Sequence, residues 1–183
     1  DGHLQLVHPG RQAVTELGHL FVLALVGRGL FPVAGGLHAM TLAAGVPAHL
    51  PVSQLTVLTQ KGSDHLFEVS VATRPEDRRR GLMFVTELRN DQGMLFDFGA
   101  TAIQGMWMKN TPLSLDMLFI RADGSISSIA RDTIPYTRTP IVSQEPVRAV
   151  LELRGGTCEL FGINPGDRVI HPLFGNRRTA PIR

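Results

Sequence analysis

The chain carries one cysteine, Cys158, among 183 residues. A single thiol cannot close an intrachain disulfide or supply a paired-cysteine metal site, so Cys158 reads as a small packing residue. Aromatic residues are few, with one tryptophan, Trp107, and one tyrosine, Tyr136. Basic blocks are scarce as well. The densest is Arg78-Arg79-Arg80, preceded by Glu76 and Asp77. The formal charge is only +2, and the pI near 9.2 reflects a small excess of arginine. Without a basic stripe interleaved with aromatics, nucleic acid is not expected as a partner. No uncharged apolar run reaches the roughly 18 residues that a membrane-spanning helix needs. The histidines His49, His65 and His171 lie in no GxSxG-like setting, and Gly155-Gly156-Thr157 lacks the GK[ST] ending of a phosphate loop.

Charge is most depleted at the start. Residues 1–48 hold only Asp1, Arg11, Glu16 and Arg28, four of the 34 charged residues. They carry the apolar runs "LFVLALVG" (20–27) and "AMTLAAGVPA" (39–48), interrupted by Arg28 and nearby glycines. A basic residue, an apolar stretch and the small-residue end Val46-Pro47-Ala48 have the anatomy of an export signal. Two expectations follow for 1–48: an export signal, or a disordered N-terminal arm. Under the first, the mature protein is periplasmic or extracellular and meets the membrane only transiently, through this segment. No lipidation cysteine stands near residue 48. The histidines His3, His8, His19 and His38 are too scattered to form a ligand set.

Residues 49–183 read as a single β domain with its core at 55–174. "LTVLT" (55–59) and "HLFEVSVA" (65–72) alternate with period two around the turn Lys61-Gly62-Ser63-Asp64. Thr73-Arg74-Pro75-Glu76 signals a helix start, with Thr73 as the cap, and Gly81 a stop. Strands are expected at 93–98, 105–110 and 114–122, and Asp123-Gly124 predicts a hairpin into 125–130. Residues 131–146, with Pro135, Pro140 and Pro146, form a long loop of the kind that serves as a lid or binding loop, or is simply mobile. Further strands are expected at 147–153 and 168–174, with a short helix from Gly155 to Phe161. About eight short strands and two short helices that do not alternate regularly imply a mainly β fold. A mostly antiparallel sandwich or barrel fits this pattern.

Five motifs occur in order: "RRRGLMF" (78–84), "GMLFDF" (93–98), "MWMKNTPLSLDMLFI" (106–120), "RAVLELRGGT" (148–157) and "FGINPGDRV" (161–169). Together they resemble the family called domain of unknown function 192, over roughly Leu55 to Phe174. The resemblance implies a small, often exported bacterial or archaeal protein with a jelly-roll-like β fold. It implies no activity, because the family has none established.

The polar residues inside "MWMKNTPLSLDMLFI" are the candidate site. Strand alternation sets Leu113, Leu115, Met117 and Phe119 on one face and Ser114, Asp116, Leu118 and Ile120 on the other. Asp116 thus shares a face with large apolar residues. A buried carboxylate needs partners or a cleft, and Lys109, Asn110, Arg80 or Arg148 could supply them. One reading is an internal clamp that fixes the turn. The other is a ligand site formed by Trp107, Lys109, Asn110, Thr111, Asp116 and Arg80, taking a small polar or anionic ligand or an envelope partner. Of the three arginines, Arg80 is expected to turn inward beside Gly81. Trp107 by itself reads as core packing with its nitrogen satisfied. Asp97 is the other carboxylate that could converge on Asp116.

The expected function is that of an exported, monomeric binding module without a cofactor. Two alternatives stay open. One is a cell-envelope hydrolase or transferase with Asp116 as acid or base and Lys109 as electrostatic stabiliser. The other is Cu(I) binding by the thioethers of Met83, Met94, Met106, Met108 and Met117, since soft sulfur ligands suit that ion.

Overall fold

The computed structural model describes residues 45–176. The expected export segment therefore lies outside the described residues as far as residue 44, as does the tail beyond Asn176.

Two ladders follow directly from local sequence. The period-two runs become β1 (Val52–Leu58) and β2 (Asp64–Ala72), antiparallel, with Leu55 opposite Phe67 and Val57 opposite His65. The turn between them closes on Thr59, whose amide bonds the Ser63 carbonyl at 2.8 Å. Likewise β5 (Leu115–Ile120) turns back through Asp123-Gly124 into β6 (Ile126–Ala130). Gly124 takes φ +86°, a conformation for which glycine is the natural choice.

Between these hairpins the chain runs through α1 (Pro75–Arg80), β3 (Gln92–Ala102) and the two-residue β4 (Gly105–Met106). Thr73 does not cap α1. The cap position falls to Arg74, which makes no side-chain capping bond. Instead Asp77, in the first turn, is held by Arg74 Nε at 2.8 Å and His49 Nε2 at 2.9 Å. After β6, the 131–146 loop contains β7 (Ile141–Val142), which pairs with β4. Then follow β8 (Val147–Arg154), α2 (Thr157–Leu160) and β9 (Arg168–Ile170). The expected last strand is cut short at Ile170, because Pro172–Phe174 form a 3-10 turn.

The main sheet has seven strands in the order β6-β5-β8-β3-β2-β1-β9. Every pairing is antiparallel except β2 with β3, which is parallel and uses α1 as its crossover. The sheet curls until its edge strands meet at one corner. Ser125 bridges Arg168, and the Val169 amide bonds the Gly124 carbonyl at 2.7 Å. The fold is mainly β, a barrel-like curled sheet with two short helices.

Both faces of the central strands are buried, which makes the register of β3, β8 and β5 decisive. Leu95, Leu151 and Leu118 lie side by side and face the interior of the curl, with Val57, Phe67 and Ile120. Phe96, Val150 and Phe119 form the matching row on the outer face, covered by Leu82, Val85, Leu88 and Met108. Each fully buried side chain of this size contributes about 1.5–3 kcal/mol. Gly93 on β3 leaves no room for a side chain against β8. A β-carbon there would lie 2.6 Å from the Glu152 carbonyl and 2.7 Å from a Leu153 methyl. One residue along, the outer row reads Met94, Glu152, Met117. A carboxyl group thus sits in the middle of a three-strand apolar surface.

Candidate ligand-binding site

Glu152 is 3% exposed. Among the described residues its carboxyl group has no hydrogen-bond or ion-pair partner. Burial pushes its pKa up to about 8, so near neutral pH the group holds its proton. A buried, unpartnered acid of this kind costs about 1–3 kcal/mol of stability. In place of a partner it has a cavity of about 360 Å³.

That cavity lies between the end of α1 with its following turn and the segment 105–111. Phe96 and Phe98 of β3 and Leu82 and Met83 of the turn give it apolar walls. Gly81 shapes the wall at φ +49°, where a β-carbon would come within 3.3 Å of the Phe96 ring. The cations Arg78, Arg79, Arg80 and Lys109 also line it. Arg78 is committed: it donates to the Asp97 carbonyl at 2.8 Å and to the Thr73 carbonyl, and lies over the Phe98 ring at 5.5 Å. Arg79, Arg80 and Lys109 have no carboxylate partner among the described residues. Lys109 instead places its ammonium 5.3 Å from the Trp107 ring centre, a cation–π distance. Cavities of this size suit a metabolite-sized ligand. A second hollow of about 560 Å³ is lined by Thr86, Glu87, Arg89, Gln92 and Arg154 but contains no buried acid, and its Arg89 pairs with Asp91. Arg79 and Arg80 of the first cavity are exposed as well, so Glu152 is what distinguishes it.

Four non-glycine residues among those described take positive φ; Asp132, at +45°, lies by Asp116, and the other three lie near the cavity. Phe84, Asn110 and Tyr136 have φ of +65°, +55° and +61°. Such values are uncommon outside glycine, most of all for bulky side chains, and cluster at functional sites. The three are tied together. The Phe84 amide donates to the Asn110 carbonyl at 2.8 Å, and the Tyr136 amide to the Thr111 carbonyl at 3.1 Å. Phe84, Trp107 and Tyr136 are each roughly half exposed or more.

Of the candidates read from sequence, Arg80, Trp107, Lys109 and Thr111 line this one cavity. Asn110 adjoins it and directs its amide to the Met83 sulfur at 3.9 Å. Three expectations need correction. Trp107 is not core packing: the strand ladder ends at Met106, and Trp107 stands 46% exposed. Arg78, not Arg80, is the arginine that turns inward.

The third correction concerns Asp116, which does not meet Lys109 or Asn110. It lies opposite Leu153 on the inner face, and its oxygens accept the Asp132 amide at 2.9 Å and the Cys158 amide at 2.7 Å. Both oxygens are bonded to backbone amides, and the fully buried side chain does not line the cavity. Arg148 does not pair with Asp116 either. It holds Asp97 at 2.8 Å, so the two aspartates do not converge. Burial, with Asp116 beside it, keeps the Cys158 thiol well above its usual range and unreactive. Of the five methionines, Met83 and Met106 reach the cavity, while Met94, Met108 and Met117 are wholly buried in the outer core. Glu152 was missed by the sequence reading, although it stands in "VRAVLEL" among residues as apolar as those around Asp116.

Residues 56–171 match the family described as Uncharacterized ACR, domain of unknown function 192. The chain belongs to that family. Two solved structures extend the comparison. A candidate transcription regulator from Sinorhizobium meliloti 1021 is 43% identical, with a TM-score of 0.67 over 68% of this chain and 96% of that one. A protein of unknown function from Novosphingobium aromaticivorans DSM 12444 is 36% identical, with a TM-score of 0.66 over 70% of this chain and 91% of that one. No curated protein matches this member of the domain of unknown function 192 family.

Proposed function

We propose that the domain is a binding module for a small ligand bearing negative charge, held in the cavity between α1 and the 105–111 segment. What carries this reading is the pairing of Glu152, buried and without a partner, with three cations that lack a carboxylate. Among the described residues other buried or partly buried carboxylates with a building role, Asp116, Asp97 and Asp77, find partners, although His65 Nε2 and Thr157 Oγ1 are buried without a hydrogen-bond partner away from the cavity. Groups left open around one cavity are those a ligand would complete. Trp107 lines the cavity with aromatic surface, and the positive-φ residues Phe84 and Asn110 are chain neighbours of the lining residues Met83, Lys109 and Thr111. The test is ligand titration followed at the Trp107 indole resonance, with small carboxylates as probes. Arg80→Ala combined with Lys109→Ala is expected to weaken binding about tenfold or more while the protein melts like the parent. Unchanged affinity in that variant would remove the rim cations from the site.

This binding takes place outside the cytoplasm under the same proposal, which the charge-poor, apolar composition of residues 1–48 supports. Expression with a Gram-negative secretion system is expected to yield a periplasmic protein cut near Ala48, as read by mass spectrometry of its N-terminus. Such a cut keeps Leu50, which is buried in the outer core. An uncut chain confined to the cytosol would contradict export.

A further inference from the structure

We propose that the cavity binds its ligand together with a proton: a small organic-acid anion lies between the cationic rim and Glu152, whose carboxyl group donates a hydrogen bond to a ligand oxygen. This rests on the cavity being the binding site, and adds the ligand's class and its coupling to pH.

The groups around Glu152 define the argument. Its lateral neighbours on the same face, Met94 of β3 and Met117 of β5, bring neither charge nor a donor. From α1 the charged groups facing the cavity are Arg78, Arg79 and Arg80, and from the 105–111 segment Lys109. None of them forms a salt bridge with Glu152. Between floor and rim there is a gap that a ligand can fill. An ionised Glu152 would repel an anion seated against it. An anion therefore enters with the carboxyl protonated, the form that burial already favours. The neutral acid then supplies a donor, and Arg79, Arg80 and Lys109 neutralise the anionic group. Phe96, Phe98 and Met106 accommodate a carbon skeleton. An ammonium ligand needs the reverse arrangement, an ionised floor beneath a rim of like charge, and the cations disfavour it.

The experiment uses benzoate with the full chain. Calorimetric titrations are run at several pH values in buffers of different ionisation enthalpy, and the Trp107 indole signal locates the site. Proton uptake is expected to approach one per benzoate above about pH 8, with affinity falling about tenfold per pH unit there. Glu152→Gln keeps a donor that cannot ionise and loses no structural bond, so it is expected to fold and to bind with no uptake and a flat profile. Benzoate binding at Trp107 with no proton uptake, and with the same pH profile in parent and Glu152→Gln, overturns the coupling and leaves the cavity reading standing. Benzylamine binding there with proton release overturns the ligand class. Silence at Trp107 toward benzoate, hexanoate and benzylamine alike overturns both.

Discussion

Replacing Asp116 with alanine is expected to lower the melting temperature by about 10 °C or more, a loss of roughly 2–5 kcal/mol. The carboxylate is fully buried and joins three parts of the chain. It sits on β5, takes the Asp132 amide just beyond β6 at 2.9 Å, and takes the Cys158 amide in α2 at 2.7 Å. Alanine leaves both N–H groups without an acceptor in a dry interior, and an unmade buried bond is worth more than the net value of a made one. Asp116→Asn keeps one acceptor oxygen, but its amide group then faces an N–H donor, so a smaller loss is expected. Lys109→Met provides the contrast. Lys109 has no carboxylate partner to strand, so that variant is expected to melt within about 2 °C of the parent. Thermal melts followed by circular dichroism separate the cases. An Asp116→Ala protein as stable as the parent would show that the two amide bonds contribute nothing to holding α2 and the 131–146 loop in place.

That contrast also shows where sequence reading reaches and where it stops. The need for partners around Asp116 is legible from strand alternation alone, because a period of two sets it among Leu118 and Ile120. Which partners it finds is not legible. They are backbone amides 16 and 42 residues away, brought in by the curl of the sheet, and an amide leaves no mark in sequence. Side-chain cations nearby in sequence were the visible candidates, but Arg80 at the end of α1 and Lys109 beyond β4 line the cavity instead. The same physics separates the two hairpins from the parallel β2–β3 pair. A turn such as Asp123-Gly124 is a local signal, whereas the crossover through α1 depends on contacts formed only in the folded chain.

Trp107 went astray for a related reason. "GMWMKN" alternates like a strand, but the ladder holds only Gly105 and Met106. Beyond them the Met108 amide goes to the Thr137 carbonyl at 3.1 Å, and Asn110 adopts φ +55°. The chain therefore turns, Met108 fills the core, and the indole is left at the cavity mouth. Glu152 is a different kind of miss, because its signal was present. "VRAVLEL" is apolar on both faces apart from Arg148 and Glu152, and Arg148 has Asp97. The test applied to Asp116, a carboxylate in a strand buried on both sides, picks out Glu152 equally well. Polar residues in doubly buried strands therefore mark either a clamp or a site. The difference lies in whether the fold itself supplies the partner.

Glu152→Leu is accordingly expected to stabilise the protein, and to do so more as pH rises. The Glu152 carboxyl is raised in the folded state to about 8, above its ordinary 4.5. Between those values the native protein holds a proton that the unfolded chain has released. Stability from this group is thus fully present below about pH 4.5, falls as pH rises, and levels off above about 8, a span worth a few kcal/mol. The lowered carboxylates, Asp77 at about 2 among them, act below this window. Burial lowers His171, so its stability rises with pH up to its ordinary 6.5 and opposes part of the trend. The parent-minus-variant difference cancels His171, which is why urea unfolding of both proteins at about pH 5, 7 and 9 is the informative measurement. Leucine, packed between Met94 and Met117, is expected to gain little at pH 5 and a few kcal/mol at pH 9. A gap that stays constant across that range would mean that Glu152 titrates as it does in water. A buried acid that costs stability and also lines a cavity is a candidate for use by a ligand. The cavity above it is where that use would be found.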